Sequence, residues 1–273
     1  MMKEMLENVR NQTPLIHSIT NYVTVNDCAN ILLACGGSPI MADDMEEVEE
    51  ITSICGGLNI NIGTLNQRTI PAMLAAGRKS NELGHSVVLD PVGAGASALR
   101  TNTAMKLLQE IQFAVIRGNV SEIKTLAHGN GTTKGVDADV SDQITEDNLE
   151  QAVDFAKAFS QKTGAVIAIT GAIDIVADQN TAYCIRNGHV DMGKITGTGC
   201  QLSAMMSAYV TANPGHTLEA AAAAVCAMGL CGEKAKKRMM ELDGNSSYRN
   251  YIIDAVYNLS PEELEREANY EVR

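Results

Sequence analysis

The run Lys194-Ile195-Thr196-Gly197-Thr198-Gly199-Cys200-Gln201-Leu202-Ser203-Ala204 sets two glycines directly ahead of a stretch of good helix formers. Without a Cβ at Gly197 and Gly199, backbone N–H groups can converge, and the first turn of a following helix adds unpaired N–H groups and positive dipole charge. Such a place suits phosphate. Cys200 falls on that first turn, where a helix N-terminus is expected to lower a thiol pKa and favour the thiolate. Taken alone, the same residues also fit an ordinary capping turn followed by a buried cysteine.

More residues of the right kinds recur at the ends of predicted strands. Asp90 and Glu122 are carboxylates on adjacent strand-to-helix loops, Arg117 is a cation able to chelate two phosphate oxygens, and Cys200 can take a proton. An anion cradle, a cation, acids for Mg²⁺ and a base for an alcohol are the parts of a phosphoryl-transfer site. Each also has a plainer reading. Arg117 could form a surface ion pair, Asp90 before Pro91 could serve a turn, and Glu122 could favour a helix first turn.

Positioning these residues requires a particular set of elements. Apolar stretches at Pro14–Val23, Ser38–Met41, Leu58–Gly63, Ser86–Pro91, Phe113–Arg117 and Ala165–Gly171 read as strands. Between them lie predicted helices at Thr24–Ala34, Met45–Ile54, Gln67–Leu83, Leu99–Glu110, a short one ending at Ala127, and Glu146–Lys162. The Gly- and Asp-rich segment 129–144 reads as a surface loop, and 174–178 with 181–186 as a hairpin turned by Asp178-Gln179-Asn180. Helices at 201–211, 217–240 and 247–258 follow, and Ser260-Pro261 caps a last one. The pattern predicts an α/β fold with a mostly parallel central sheet covered by helices on both faces. Ligands in such sheets bind beyond the carboxyl ends of the strands, which selects Met41, Gly63, Asp90, Arg117, Asn119, Thr170 and the Gly197–Cys200 loop.

Composition narrows the class. The chain has 273 residues, a length read as one domain, and a formal net charge of −12 that disfavours nucleic acid and anionic lipid, so any phosphate site must be local. No apolar run approaches the ~18 residues of a membrane span, and the amino-terminal segment lacks the apolar core of a secretory signal. A cytoplasmic protein is expected. Seven cysteines without a Cys-x-x-Cys pair suggest neither a disulfide framework nor a zinc site; six should be small core residues.

Two motif matches fail on inspection. Gly188 to Lys194 fits the start of a phosphate-binding P-loop, but Ile195 stands where a hydroxyl must meet Mg²⁺. Gly93-Ala94-Gly95-Ala96-Ser97-Ala98 fits a dinucleotide fingerprint, yet Arg117-Gly118-Asn119 stands where an acid should hold the ribose.

Asn119-Val120-Ser121-Glu122 resembles the Asn-x-x-Glu motif of the ribokinase-like superfamily, and Gly197-Thr198-Gly199-Cys200 resembles its Gly-x-Gly-Asp anion-hole motif with Cys in place of Asp. Together with Thr20-Asn21-Tyr22-Val23, Ser38-Pro39-Ile40-Met41-Ala42 and Asp90-Pro91-Val92-Gly93-Ala94-Gly95, these make the chain resemble the hydroxyethylthiazole kinase family over residues 12–260. The resemblance implies a single-domain, three-layer ribokinase-like sandwich over residues 1–273. It implies transfer of the ATP γ-phosphate to the hydroxyl of 4-methyl-5-(2-hydroxyethyl)thiazole in thiamine salvage. By the same resemblance Cys200 takes the place of the catalytic base. Met41, Gly197 and Asn21 match substrate positions, Arg117, Thr170 and Gly199 nucleotide positions, and Asp90 and Glu122 the acids associated with Mg²⁺. A homotrimer with active sites at subunit interfaces is implied too. Two other functions stay open: an ATP- or ADP-dependent dehydratase of hydrated nicotinamide cofactors from the same superfamily, which would normally keep Asp in the glycine loop, and a non-catalytic nucleotide or thiamine-precursor binding protein.

Overall fold

Segments of three to five residues bounded by glycine and polar turns pair into one sheet, and the segments between them wind into helices that bury the sheet's two faces. The computed structural model describes residues 1–129 and 143–273. Along the chain run α1 (Met2–Gln12), β1 (Leu15–Ile19), α2 (Val25–Cys35), β2 (Ser38–Ile40), α3 (Val48–Ile54), β3 (Gly57–Asn61) and α4 (Thr69–Glu82). There follow β4 (Ser86–Asp90), α5 (Ala98–Glu110), β5 (Val115–Asn119), α6 (Val120–His128), α7 (Leu149–Thr163) and β6 (Val166–Thr170). The carboxyl-terminal part holds β7 (Asp174–Ala177), β8 (Ala182–Ile185), α8 (Thr198–Ala212), α9 (Thr217–Arg238), α10 (Asn245–Asn258), α11 (Pro261–Glu267) and β9 (Tyr270–Val272).

Among the described residues the sheet has nine strands in the order β2-β1-β3-β4-β5-β6-β7-β8-β9. Strands from β2 to β6 pair in parallel, and β7, β8 and β9 add an antiparallel extension. Period-two alternation divides the core. Val88, Val115 and Val166 face a cluster containing Leu32 of α2, Met205 of α8 and Val225 of α9. Val87, Leu89 and Ile116 face the opposite cluster, with Val48 of α3, Met73 of α4 and Phe155 of α7. The expected three-layer α/β architecture is the one observed.

The parallel register carries the strand ends into one line. Asn61 pairs with Asp90 at the ends of β3 and β4, and Asn119 with Thr170 at the ends of β5 and β6. The N-terminus of α8 comes down on that line, since α8 packs against β3 and β4. α8 is buried almost all round, including Ser203 and Ser207 at 0% exposure, so its first turn is fixed to the sheet.

Several boundaries differ from the sequence reading. β5 runs over Val115–Asn119 rather than Phe113–Arg117, because Gly118 and Asn119 still pair with Ile169 and Thr170 before Asn119 caps α6. Arg117 therefore lies inside a strand, not at its end. α3 begins at Val48, after a turn in which the Asp44 carboxylate accepts the Glu46 N–H. α1 and β9 were not anticipated. The hairpin turn at Asp178 is as expected, with the Asp178 carboxylate accepting from the N–H groups of Asn180 and Thr181, both at 2.7 Å. The expected loop 129–144 falls mainly on residues 130–142, outside the described residues.

Candidate active site

α8 starts at Thr198 with Gly197 as its N-cap, at φ +92°, a backbone that L side chains avoid. A Cβ there would also meet Thr24 Cγ2, so Gly197 is glycine for both reasons. At Gly199 the reason is different: the Arg117 guanidinium lies where a Cβ would go. A cation thus presses on the first turn of α8, beside its unpaired N–H groups and positive dipole end. Arg117 Nη2 donates to Thr170 Oγ1 at 2.6 Å, and Nη1 lies 3.5 Å from Asp90 Oδ2. The buried Arg117 Nε has no partner. Convergence of this much positive potential calls for an anion between Arg117 and the helix end.

A cleft of about 540 Å³ opens from this point. Arg117, Thr170 and Gly199 form its inner end, and Val190, Met192, Leu202, Val225 and Met228 supply apolar wall. Arg186 lines it too, held by the carboxylates of Glu146 at 2.9 Å and Glu271 at 3.2 Å. The wall segment at 188–194 is pinned to α9. Glu233 accepts the Gly188 N–H at 2.8 Å, Lys194 and Lys236 both reach Asp191, and Met192 packs on Gly232. The rejected P-loop match therefore forms cleft wall, with Lys194 turned to solvent and paired to Asp191. The second rejected motif binds an internal anion: Gly93 N–H donates to Glu122 at 2.8 Å.

Asp90 is wholly buried. Its Oδ2 accepts from Asn61 Nδ2 at 2.9 Å and from Ser203 Oγ at 2.8 Å, while Oδ1 has no partner. Burial pushes the carboxyl above its usual range, Arg117 opposes that, and the Glu122 charge adds to it. An orphaned, buried carboxylate oxygen behind Arg117, which lines the cleft, fits a divalent ion arriving with a nucleotide. Glu122 is differently disposed. Its two oxygens accept the N–H groups of Gly93 and Asn119, each at 2.8 Å, in a reciprocal cap with Asn119. Among the described residues no three His, Cys, Asp or Glu side chains gather as a ready metal cage.

On the opposite side of the α8 N-terminus stands Cys200, the one cysteine that is not buried. Asn21 Nδ2 donates to its Sγ at 3.2 Å. The same Nδ2 donates to Asn61 Oδ1 at 3.0 Å, while Asn21 Oδ1 accepts from the Thr24 N–H and hydroxyl, both at 3.1 Å. The expectation of a lowered Cys200 pKa is overturned. Burial pushes the thiol up and the negative Asp90 pushes it further, against hydrogen bonds from Thr24, Asn21 and Asn61 that favour the thiolate. Met41 follows β2 on this side, partly buried against the α8-side core. It is positioned by its neighbour: His17, fully buried, holds the Ala42 carbonyl through Nε2 at 2.8 Å and Thr52 through Nδ1 at 2.9 Å.

Arg117, Thr170 and Gly199 thus share the cleft, Cys200, Asn21 and Gly197 share the other side of the helix end, and Asp90 lies between. Asn61, Ser203, Arg186 and Asp174 were missed as site residues. For Asn61 the signal was present: polar residues alternate with apolar ones in Leu58-Asn59-Ile60-Asn61, yet all four are buried.

The model of the hydroxyethylthiazole kinase family matches residues 6–262. A hydroxyethylthiazole kinase of Clostridium acetobutylicum is 67% identical, with 99% of each chain covered. One of Desulfovibrio desulfuricans is 50% identical over 93% of this chain and 92% of its own. Among solved structures, a hydroxyethylthiazole kinase protein from Pyrococcus horikoshii superposes with a TM-score of 0.88 at 33% identity, covering 100% of this chain and 98% of that one. A ribokinase-like superfamily protein from Enterococcus faecalis shares the fold at 13% identity, with a TM-score of 0.64 over 97% of this chain and 95% of its own.

Proposed function

The chain belongs to the hydroxyethylthiazole kinase family, and on that premise we propose how its side chains transfer the ATP γ-phosphate to the primary hydroxyl of 4-methyl-5-(2-hydroxyethyl)thiazole. The observation that carries the assignment is the Arg117 guanidinium packed against Gly199 at the first turn of α8, with Cys200 beside it. ATP occupies the cleft, its terminal phosphates between Arg117 and the α8 N–H groups and its triphosphate end anchored near Thr170. The thiazole lies beside Met41, Asn21 and Gly197, its hydroxyl directed across the helix end. As the alcohol oxygen bonds to the γ-phosphorus, the bond to the β-phosphate bridging oxygen breaks and ADP leaves. The alcohol proton passes to the Cys200 thiolate. Because burial and Asp90 keep much of that sulfur protonated, positioning and charge neutralisation supply most of the acceleration.

Mg²⁺ would be held through the free oxygen of Asp90, with Glu122 bracing the loop beside it, and supplies charge neutralisation across the phosphates. We further propose one kinase domain over residues 1–273 and a homotrimer whose acceptor sites are completed by a neighbouring copy. Support comes from exposed apolar side chains on the acceptor side, Tyr22 at 78%, Val23 at 56% and Met45 at 48%. No helix among the described residues is long and apolar enough to cross a membrane, and we place the enzyme in the cytoplasm, which six buried free thiols support.

Purified protein mixed with ATP, Mg²⁺ and the thiazole alcohol should form the phosphorylated thiazole with stoichiometric ADP. ADP release that is independent of the alcohol, or none at all, would overturn the assignment.

A further inference from the structure

Between the phosphate side and the acceptor side of the α8 N-terminus lies one amide that touches both. Asn61 ends β3, in register with Asp90 at the end of β4, and is 1% exposed. Its orientation is fixed by its neighbours. The Gly63 N–H, which can only donate, sits 2.9 Å from one atom, so that atom is Oδ1 and the other is the amide nitrogen. Oδ1 also accepts from Asn21 Nδ2 at 3.0 Å, and Nδ2 donates to Asp90 Oδ2 at 2.9 Å. The Asn21 nitrogen bound to Asn61 is the one that donates to Cys200 Sγ at 3.2 Å. The chain of contacts runs from the carboxylate under the phosphates, through Asn61 and Asn21, to the sulfur beside the acceptor alcohol.

We propose that Asn61 is a positioning residue for phosphoryl transfer, its carboxamide locking the Asp90 side of the site to the Asn21–Cys200 side so that phosphate and acceptor alcohol stay aligned. The proposal rests on the division of the site given above. Only an amide satisfies the geometry. Leucine of similar size would leave the Gly63 N–H and one Asn21 N–H without that acceptor and Asp90 with Ser203 but no amide donor. Aspartate would keep the acceptor toward Gly63 but set a second carboxylate against Asp90. Ser203 donates to the same Asp90 oxygen at 2.8 Å but lies outside the amide chain that reaches Cys200 through Asn21, so it separates support of Asp90 from that chain.

The test compares Asn61→Leu, Asn61→Asp and Ser203→Ala with the wild type at one pH. Two quantities are read, normalised to folded protein: steady-state kcat and KM for each substrate, and the rate at which iodoacetamide alkylates Cys200 without substrates, followed by peptide mass. Both Asn61 variants should lose about 30-fold or more in kcat with KM for ATP changed less than about 3-fold, on the scale of the ~100-fold attached to a displacement of about 1 Å. Cys200 alkylation should slow about 3-fold or more in both, because a thiolate-favouring donor array is removed or displaced. Ser203→Ala, which removes one Asp90 donor but none of the amide contacts to the sulfur, should not slow that rate. Wild-type kcat in the folded Asn61 variants, or alkylation as fast as wild type or faster, as simple loosening would give, overturns the proposal. Should Asn61→Leu fail to fold, Asn61→Asp carries the same readings. A wild type that turns over no thiazole alcohol would instead count against the functional assignment, and the substrate-free alkylation would still judge Asn61.

Discussion

The two sides of the α8 N-terminus are built to different degrees of completion. On the nucleotide side, one chain supplies a concave cleft of about 540 Å³, a guanidinium anchored by Thr170, and a wall segment tied to α9 by Glu233 and Asp191. On the acceptor side, Asn21 and Cys200 are held tightly, but the lining of that cleft excludes them, and the surface beyond carries exposed Tyr22 and Val23. A single fold can preform a phosphate site from backbone N–H groups and one cation, since those come with strand ends and a helix start. A small apolar substrate needs enclosure instead, and the neighbouring copy we propose would supply it.

If that contrast is right, damage to the nucleotide side should be local and severe. Arg117→Ala should raise KM for ATP about 30- to 100-fold, the loss of a charge-assisted phosphate contact worth roughly 2–3 kcal/mol, while thiazole affinity by calorimetry stays within about 2-fold. Arg117→Lys should recover only part, lacking the planar fork. An alanine variant with unaltered ATP dependence removes Arg117 from the site and breaks the contrast at its stronger end.

The acceptor side should fail in another way. Replacing Tyr22 and Val23 together by Glu should dissociate the oligomer in sedimentation and cut kcat/KM for the thiazole about 10-fold or more, with ATP binding to the isolated chain preserved within about 3-fold. Full activity in a proven monomer would show that one chain encloses both substrates.

The Cys200 series sharpens the same comparison at its boundary. Cys200→Ala should keep measurable activity, about 10-fold below wild type. That is less than the ~10² or more usual for a general base, because a sulfur largely held as thiol contributes little. Cys200→Asp should match or exceed wild type near neutral pH, and Cys200→Ser should resemble alanine. A folded Cys200→Asp that binds both substrates and is as slow as alanine would take Cys200 out of the base position.

How far the molecule was legible in its sequence depends on how local the determining forces are. The parallel sheet was legible because Val87-Val88-Leu89 and Ile167-Ala168-Ile169 are apolar on both faces, which only a two-sided burial explains. Gly197 and Gly199 were legible as a glycine turn that opens a helix. The elements at the two chain ends were not: α1 carries Met2, Met5, Leu6 and Val9 at helical spacing, but an amphipathic start says nothing of what it packs on, and β9 is three residues long. The error at Cys200 is the instructive one. The local rule, a helix N-terminus, points to a low pKa, whereas burial and the Asp90 carboxylate, brought in from β4, decide the sign. At Asn61 the alternation of Leu58-Asn59-Ile60-Asn61 marked an unusual position, but its role lies in Asp90, Gly63 and Asn21 converging on it, which no local pattern shows.

The smallest effect tests the nucleotide side against its own charge. Asp174 begins β7, lines the cleft, and accepts the Gly171 N–H at 2.9 Å. Burial pushes its carboxyl up to about 7, against that hydrogen bond and the Arg117 charge, both of which favour the ionised form. Raised above an unfolded value of 3.8, it makes the folded chain the better proton binder between those pH values. Its contribution to stability therefore falls as pH rises through that window and is level above it. The same ionisation puts a negative charge in a cleft meant for phosphate. Going from pH 6 to pH 8, ATP affinity of the wild type should weaken about 2- to 5-fold relative to Asp174→Asn, the scale of about 0.5–1 kcal/mol for a partly solvated charge pair. The asparagine oxygen can still accept the Gly171 N–H, and the nucleotide's own ionisation is common to both proteins and cancels in the ratio. Calorimetric titration of both proteins at the two pH values decides it. Parallel pH dependences would mean that Asp174 carries the same charge at both, and that the cleft tolerates a fixed carboxylate beside its phosphate end.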